Sequence, residues 1–598
     1  MKGLHFFYFL LLASWVSNGQ TNSYEISFEN AVHHEAVVHI NFPAITTDTL
    51  AVRMSRTSPG RYALHEFAKN VYNFKATDSK GKILKIMRLD PYQWLITGHD
   101  GEVNISYVLF ANRGDGTYSQ IDETHAHLNI PATFMYAQSL SERKIEVDFK
   151  IRKDLKWKVA TQLPLVNGTT HSAPNLQYFM DSPTEISNFG LREFKVDNQM
   201  IQLALHHNGT DAELDTYFEK VKKVVLAEKE VYGELPTFDY GKYVFLACYI
   251  PNASGDGMEH RNSTILTSTR SLADGGMERN IGTVSHEFFH AWNVERIRPK
   301  TLEPFNFEEA NMSGALWFAE GFTSYYTNLV LCRAGLKSPE TYIEGLSGTF
   351  NYVWNSPARV FFNPIEMSFQ APFVDAATSV DPVNRENTFI SYYSYGSILG
   401  LALDLSLREN NLNLDDYMKL VWKTYGKTQI PYTITNLHTS LNAYAGKAFG
   451  DDFFNKYIYK SEMPDYKSLL KANGVILKQN EDQPYFGAAA AINDDLNGVV
   501  KSNPKIGSPA YKAGLDKGDI IFSINESPFP NGESFEIYIG KLNVGDSLNV
   551  EFERFGKKKN TLVILEADPT YTIELMEKEG KKPAEELLKK RTAWLKVE

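Results

Sequence analysis

A chain of 598 residues is too long to fold around one hydrophobic core, and its length predicts roughly three or four domains. Hydrophobic residues at 43%, aromatic residues at 13% and charged residues at 22% are the proportions of a soluble globular protein with well-packed interiors, which argues against a disordered chain. A formal net charge of -11 with no concentrated basic stretch argues against nucleic acid as a partner, because phosphate binding draws on a basic surface.

Residues 1–19 carry Met1-Lys2, an apolar run from Phe6 to Val16 and the small residues Ser17 and Gly19, the order expected of a signal peptide cleaved before Gln20. The expected destination is therefore the periplasm or the extracellular space. The apolar run is short for a bilayer span, and no later stretch reaches that length without charges, so no integral span is expected after cleavage. An uncleaved anchor is the alternative. Cys248 and Cys332 are the only cysteines and lie far apart in the chain, which gives no disulfide framework. Asn104, Asn167 and Asn208 stand in Asn-x-Ser/Thr sequons, which matter only in a glycosylating host.

Over residues 20–185, apolar and polar positions alternate, as from Ala36 to Phe42 and from Gly101 to Phe110. Turn-forming groups such as Ser58-Pro59-Gly60, Asp78 to Gly81 and Arg113 to Gly116 separate the runs, and this rhythm predicts an N-terminal β-sandwich-like domain. His125 and His127 share a strand face but show no carboxylate or cysteine partner in the sequence, so they read as structural. Residues 186–482 form a mixed region. It holds a strand near Gln202 to His206, a helix from Ala212 to Tyr232 and an inner strand from Tyr243 to Ile250. A turn-rich segment from Gly255 to His260 follows, and then helices that include Leu316 to Cys332, Ser394 to Arg408 and Asp415 to Tyr425. Residues 483–566 return to short strands. Residues 567–598 place apolar positions at helical spacing between Ile573 and Leu595, which predicts an exposed amphipathic helix. The fold class expected is multidomain α+β.

The chemistry concentrates at His286-Glu287-Phe288-Phe289-His290. In a helix the two histidines lie one turn apart on one face, so both imidazoles can reach one Zn²⁺ while Glu287 flanks it as a base. A third ligand is needed. About thirty residues on, Glu320 sits in the apolar and aromatic stretch Leu316 to Tyr326, where an ionised carboxylate requires a cation. It is either that ligand or a helix-face acid, solvated or paired with Arg296 or Arg298; beside the histidine motif the zinc reading is preferred.

These residues resemble the gluzincin metallopeptidases, in which two histidines and a later glutamate bind zinc. Gly257 to Thr264 and His286 to Pro299, followed by Gly507 to Ile521 in a pattern similar to PDZ domains, resemble more narrowly the glycyl aminopeptidase family. The resemblance implies an N-terminal β domain, a thermolysin-like zinc catalytic domain with a helical extension, and a PDZ-like domain. It implies one Zn²⁺ per chain on His286, His290 and Glu320, with Glu287 activating the zinc-bound water. Glu259, in the loop Gly257-Met258-Glu259, is otherwise an ordinary solvated acid; the resemblance makes that loop the binding site for the substrate's α-ammonium. The stretch Tyr392 to Gly396 resembles the family's oxyanion element, with Tyr393 as hydrogen-bond donor and Tyr395 as the alternative, since the family's usual lysine position holds Tyr395 here.

The function expected is a zinc aminopeptidase acting on peptides with a free N-terminus, preferring a small first residue, Gly or Ala. The PDZ-like domain could hold a C-terminal peptide near Tyr485-Phe486-Gly487. The alternatives are a zinc endopeptidase whose PDZ-like domain captures protein substrates, and a non-catalytic PDZ adapter.

Overall fold

The computed structural model describes residues 20–374, 381–530 and 532–596. The signal peptide expected over residues 1–19 lies outside them. Strands Glu35–Phe42 and Val103–Phe110 pair antiparallel and bury every second side chain, Ala36, Val38, Ile40 and Phe42 against Val103, Ile105, Tyr107 and Leu109. That one-sided burial is what the alternating sequence encodes. They belong to a seven-stranded sheet, and a three-stranded sheet packs into the same core. A four-stranded sheet made of Lys158–Thr161, Thr184–Ser187, His125–Leu128 and Gln120–Ile121 borders the next domain.

The central domain opens with a five-stranded sheet. Its strands are β1 (Gly190–Val196), β2 (Gln199–His207), β3 (Lys242–Tyr249), β4 (Asp256–His260) and β5 (Ser263–Ser268), in the order β1-β2-β3-β5-β4. Strand β3 is covered on both faces, which accounts for its unbroken apolar run. Within the segment Gly255 to His260, Asp256–His260 is a strand, not the turn its glycines predict. Met258, Glu259 and His260 are buried, and pairing with β5 overrides the local turn preference. Strand β4 is the edge of the sheet, so among the described residues one side of its backbone has no strand neighbour.

Helix α1 (Asp211–Tyr232) is closed at its start by a reciprocal Thr210/Glu213 cap and at its end by Gly233 at φ 84°. It packs against α2 (Ile281–Phe289). The helix expected from Leu316 to Cys332 is two pieces, α3 (Leu316–Ala319) and α4 (Gly321–Arg333), joined at Glu320. Helix α5 (Tyr392–Glu409) crosses α4 at a glycine contact. A Cβ on Gly396 would lie 1.9 Å from the Trp317 carbonyl oxygen and 2.7 Å from Gly321 Cα, so the helices approach this closely only with glycine there.

Strand Val475–Gln479 pairs antiparallel with Tyr571–Leu575, and the small β domain lies in sequence between these two partners. The free edge of the second strand is satisfied by a helix above it: Asn351 exchanges two hydrogen bonds of 2.7 Å with the Tyr571 backbone. The helix expected across residues 573–595 therefore starts only at Glu585, as α6 (Glu585–Leu595), and it is not simply exposed. Trp594 and Leu595 are fully buried, and the indole N–H of Trp594 donates to Tyr325 Oη at 3.0 Å. Among the described residues no helix is long and apolar enough to cross a membrane.

Candidate active site

His286 and Glu287 occupy the last turn of α2, and His290 caps it. Each imidazole is fixed from behind. The Thr327 hydroxyl donates to the Thr323 carbonyl at 2.8 Å and so accepts from His286 Nδ1 at 3.1 Å. His290 Nδ1 donates to the Asn293 carbonyl at 2.5 Å. With each Nδ1 turned to such an acceptor, Nε2 is the nitrogen each ring presents to the site, and the two Nε2 atoms stand 3.1 Å apart. Two imidazole nitrogens at that separation call for a proton or a metal ion between them.

Glu320 completes the set. Its Oε2 lies 3.6 Å from His286 Nε2 and 3.2 Å from His290 Nε2, is buried, and has no hydrogen-bond partner. Its Oε1 accepts a 2.7 Å hydrogen bond from the Tyr62 hydroxyl. The ligand atoms of His286, His290 and Glu320 lie within 4.8 Å of one another. Two imidazoles and a carboxylate, each oriented by a further partner and one keeping an unused buried oxygen, fit Zn²⁺. Neither arginine competes for Glu320: Arg296 donates to the carbonyls of Arg261, Ala291 and Thr237, while Arg298 pairs with Glu295 and Glu303.

The charge of the site also calls for a cation, because Glu259 and Glu287 share the space around His290 within the same 4.8 Å. Burial pushes the Glu287 carboxyl well above the ordinary carboxylate range; His290 opposes the shift, and Glu259 and Glu320 add to it. Burial likewise raises Glu259. Burial works against the charge on Glu320 too, but there His290 and His286 prevail and hold it low. Burial would depress His290, yet Glu320 and Glu259 lift it to about 10.

Strand β4 brings Gly257, Met258 and Glu259 to the cleft. A Cβ on Gly257 would fall 2.2 Å from Glu287 Oε1, so glycine there leaves room for the carboxylate. Met258 is buried with Sδ against Gly60, and Glu259 has no lysine or arginine in ion-pair contact among the described residues. Tyr393 comes from the first turn of α5, its ring 5.8 Å from that of His286, and its hydroxyl feels Glu320 and Glu259. Tyr395 is turned away, fully buried with Arg359 and Tyr466 as its electrostatic neighbours. The first turn thus brings Tyr393 to the site and not Tyr395.

Two residues escaped the sequence reading. Tyr62 reaches Glu320, and Arg61 bridges Thr117 (2.6 Å) and Asp256, both from the segment after Ser58-Pro59-Gly60 that reads only as a turn. Their one signal was an arginine and an aromatic residue following a Pro-Gly pair. His127 does have a carboxylate partner, donating to Glu185 Oε2 at 3.1 Å; the two strands that carry them are adjacent in space and distant in sequence. A separate cleft of about 560 Å³ in the small β domain is lined by Tyr485, Phe486, Gly487, Phe535 and Ile539.

Residues 23–188 match the Peptidase M61 N-terminal domain, residues 279–399 the M61 glycyl aminopeptidase and residues 473–565 a PDZ domain. The fold is similar to that of an aminopeptidase N family protein from Idiomarina loihiensis, with a TM-score of 0.83 over 96% of this chain and 100% of that one, at 22% identity. An M1 zinc metallopeptidase from Deinococcus radiodurans is a far more distant match, with a TM-score of 0.43 and 11% identity over 75% of this chain and 95% of that one. No curated protein matches the sequence. With the N-terminal domain, the peptidase domain and the PDZ domain matched in order, the chain belongs to the M61 glycyl aminopeptidase family and is a zinc metallopeptidase of the aminopeptidase type.

Proposed function

We propose that this zinc aminopeptidase is exported and cleaves the first peptide bond of peptides with a free N-terminus, preferring Gly or Ala there. His286, His290 and Glu320 would hold one zinc ion at this site. When bound, zinc supplies Lewis acidity that polarises the scissile carbonyl and acidifies a water. Glu287 takes the proton of the attacking water and passes it to the leaving amine, a task suited by surroundings that raise its proton affinity. The Tyr393 hydroxyl donates to the carbonyl oxygen as negative charge builds there. The substrate's α-ammonium lies against Glu259, and the open edge of β4 offers its backbone to the extended peptide.

The observation that carries this reading is the buried Glu259 carboxylate beside Glu287 and His290, with no lysine or arginine paired to it among the described residues. An α-ammonium is the cation that would complete it. The small-residue preference follows the family's glycyl description, and export follows the apolar segment from Phe6 to Val16. The PDZ cleft would take C-terminal peptides.

The test compares matched peptides with free and N-acetylated termini. Cleavage of the free form alone, with kcat/KM falling roughly 10²-fold in Glu259→Gln as a charge-assisted contact is lost, is the expected result. Equal rates on both forms would make the enzyme an endopeptidase.

A further inference from the structure

The N-terminal domain meets the central sheet at a second group of metal-binding side chains, separate from the one on α2. His206 on β2 and Cys248 on β3 are direct partners in the parallel register, so their side chains share a face. Across from them, strand Thr184–Ser187 of the N-terminal domain brings Glu185, and its antiparallel neighbour His125–Leu128 brings His125. Cys248 Sγ lies 3.4 Å from His206 Nδ1, and His206 Nδ1 lies 3.8 Å from Glu185 Oε1; all three atoms lie within 4.8 Å of one another. The His125 ring is 5.0 Å from that of His206, centroid to centroid.

Two atoms here are buried without a hydrogen-bond partner, Glu185 Oε1 and His125 Nε2. Their far ends are held. His127 donates to Glu185 Oε2 at 3.1 Å and to the Asp115 carbonyl at 3.0 Å. His125 Nδ1 faces Asp122 Oδ1 at 3.3 Å and Thr124 Oγ1 at 2.8 Å, which places its proton on Nδ1 and leaves Nε2 bare. Orphaned polar atoms in a dry interior are costly, and here the Glu185 oxygen stands beside the His206 imidazole and the Cys248 thiol. Zinc bond lengths of about 2.0–2.3 Å imply ligand atoms about 3.3–3.8 Å apart in a tetrahedron, the spacing found from Cys248 to His206 and from His206 to Glu185.

We propose that Glu185, His206 and Cys248 form a zinc site that pins the N-terminal domain to the central sheet. Binding releases the Cys248 thiol proton to solvent, and the resulting thiolate and the Glu185 carboxylate balance the 2+ charge. Ligands drawn from both domains make such an ion a cross-link between them, so its binding adds to the stability of the folded chain. The chain then carries two zinc ions, one more than the single ion expected from the sequence.

The test uses the full chain loaded with zinc, stripped of loose metal by gel filtration, and counted by mass spectrometry. Two ions per chain are expected in the natural sequence, one in His286→Ala/His290→Ala, and none when Cys248→Ser and Glu185→Gln are added to that variant. Cobalt(II) gives an independent reading without any substitution, because a His/His/Glu site holds no sulfur. A thiolate-to-cobalt absorption band in the natural chain, kept in Cys332→Ser and lost in Cys248→Ser, supports the site. A single ion with no thiolate band overturns it, and the Cys248 thiol is then only a hydrogen-bond donor to His206.

Discussion

Glu287 and Glu320 are both buried beside the same histidines, yet their surroundings push them in opposite directions, which suits them to the two roles proposed for them. Burial opposes the charge on Glu320 but His290 and His286 hold it ionised, which fits the proposed ligand, while burial raises the proton affinity of Glu287, which fits the proposed base. Glu287→Gln is expected to keep its zinc by metal analysis while kcat falls by roughly 10²–10⁴-fold; near-normal turnover would remove Glu287 from the mechanism. Tyr62 acts through Glu320. Tyr62→Phe is expected to weaken zinc binding by roughly 10–100-fold in a chelator competition while kcat at saturating zinc changes little. At this scale the histidine pair was legible because helical period alone sets its geometry. Tyr62 was not, because 258 residues separate it from the glutamate it orients.

Among the elements, the crossing of α4 and α5 decides where Tyr393 stands. Gly396 touches no substrate, but a methyl group there meets the Trp317 carbonyl at 1.9 Å and forces the helices apart. Gly396→Ala is expected to cost about 1–3 kcal/mol of stability by overpacking. It should also lower kcat without loss of zinc, read by thermal unfolding and kinetics on the same samples; an unchanged melting temperature would contradict the contact. Helix α2 and strand β3 followed from apolar pattern. Strand β4 did not, because its glycines signal a turn, and the pairing with β5 that overrides them is a long-range contact. The break at Glu320 was hidden for the same reason: the apolar pattern runs through it, and tertiary packing ends one helix and starts the next.

For the molecule as a whole, the PDZ domain sits between two strands that pair with each other, and the chain returns from it to bury Trp594 in the central core. Truncation at residue 482 therefore removes Tyr571–Leu575 and α6 along with the PDZ domain. Losing the buried Trp594 alone is worth about 3–5 kcal/mol. Excising residues 483–567 and joining the ends with a short Gly/Ser loop is expected to leave a folded, zinc-loaded enzyme with unchanged kinetics on dipeptides, whereas truncation at 482 is expected to give insoluble or unfolded protein. Equal behaviour of the two variants would refute the tail's role. Any loss confined to long substrates in the excised form would assign the PDZ cleft to substrate capture.

The sequence by itself determined the local pattern: the histidine pair with Glu287 beside it, the acid at Glu320 in an apolar stretch and the alternating strands of the N-terminal domain. Each is written in spacing or composition within a few dozen residues, where helix and strand periods convert directly into geometry. Only the tertiary structure decided which tyrosine faces the site, that Gly257 to Glu259 lies on a sheet edge, that Tyr62 holds Glu320, and that Glu185, His206 and Cys248 meet. Those depend on contacts between distant segments, whose partners no local pattern specifies.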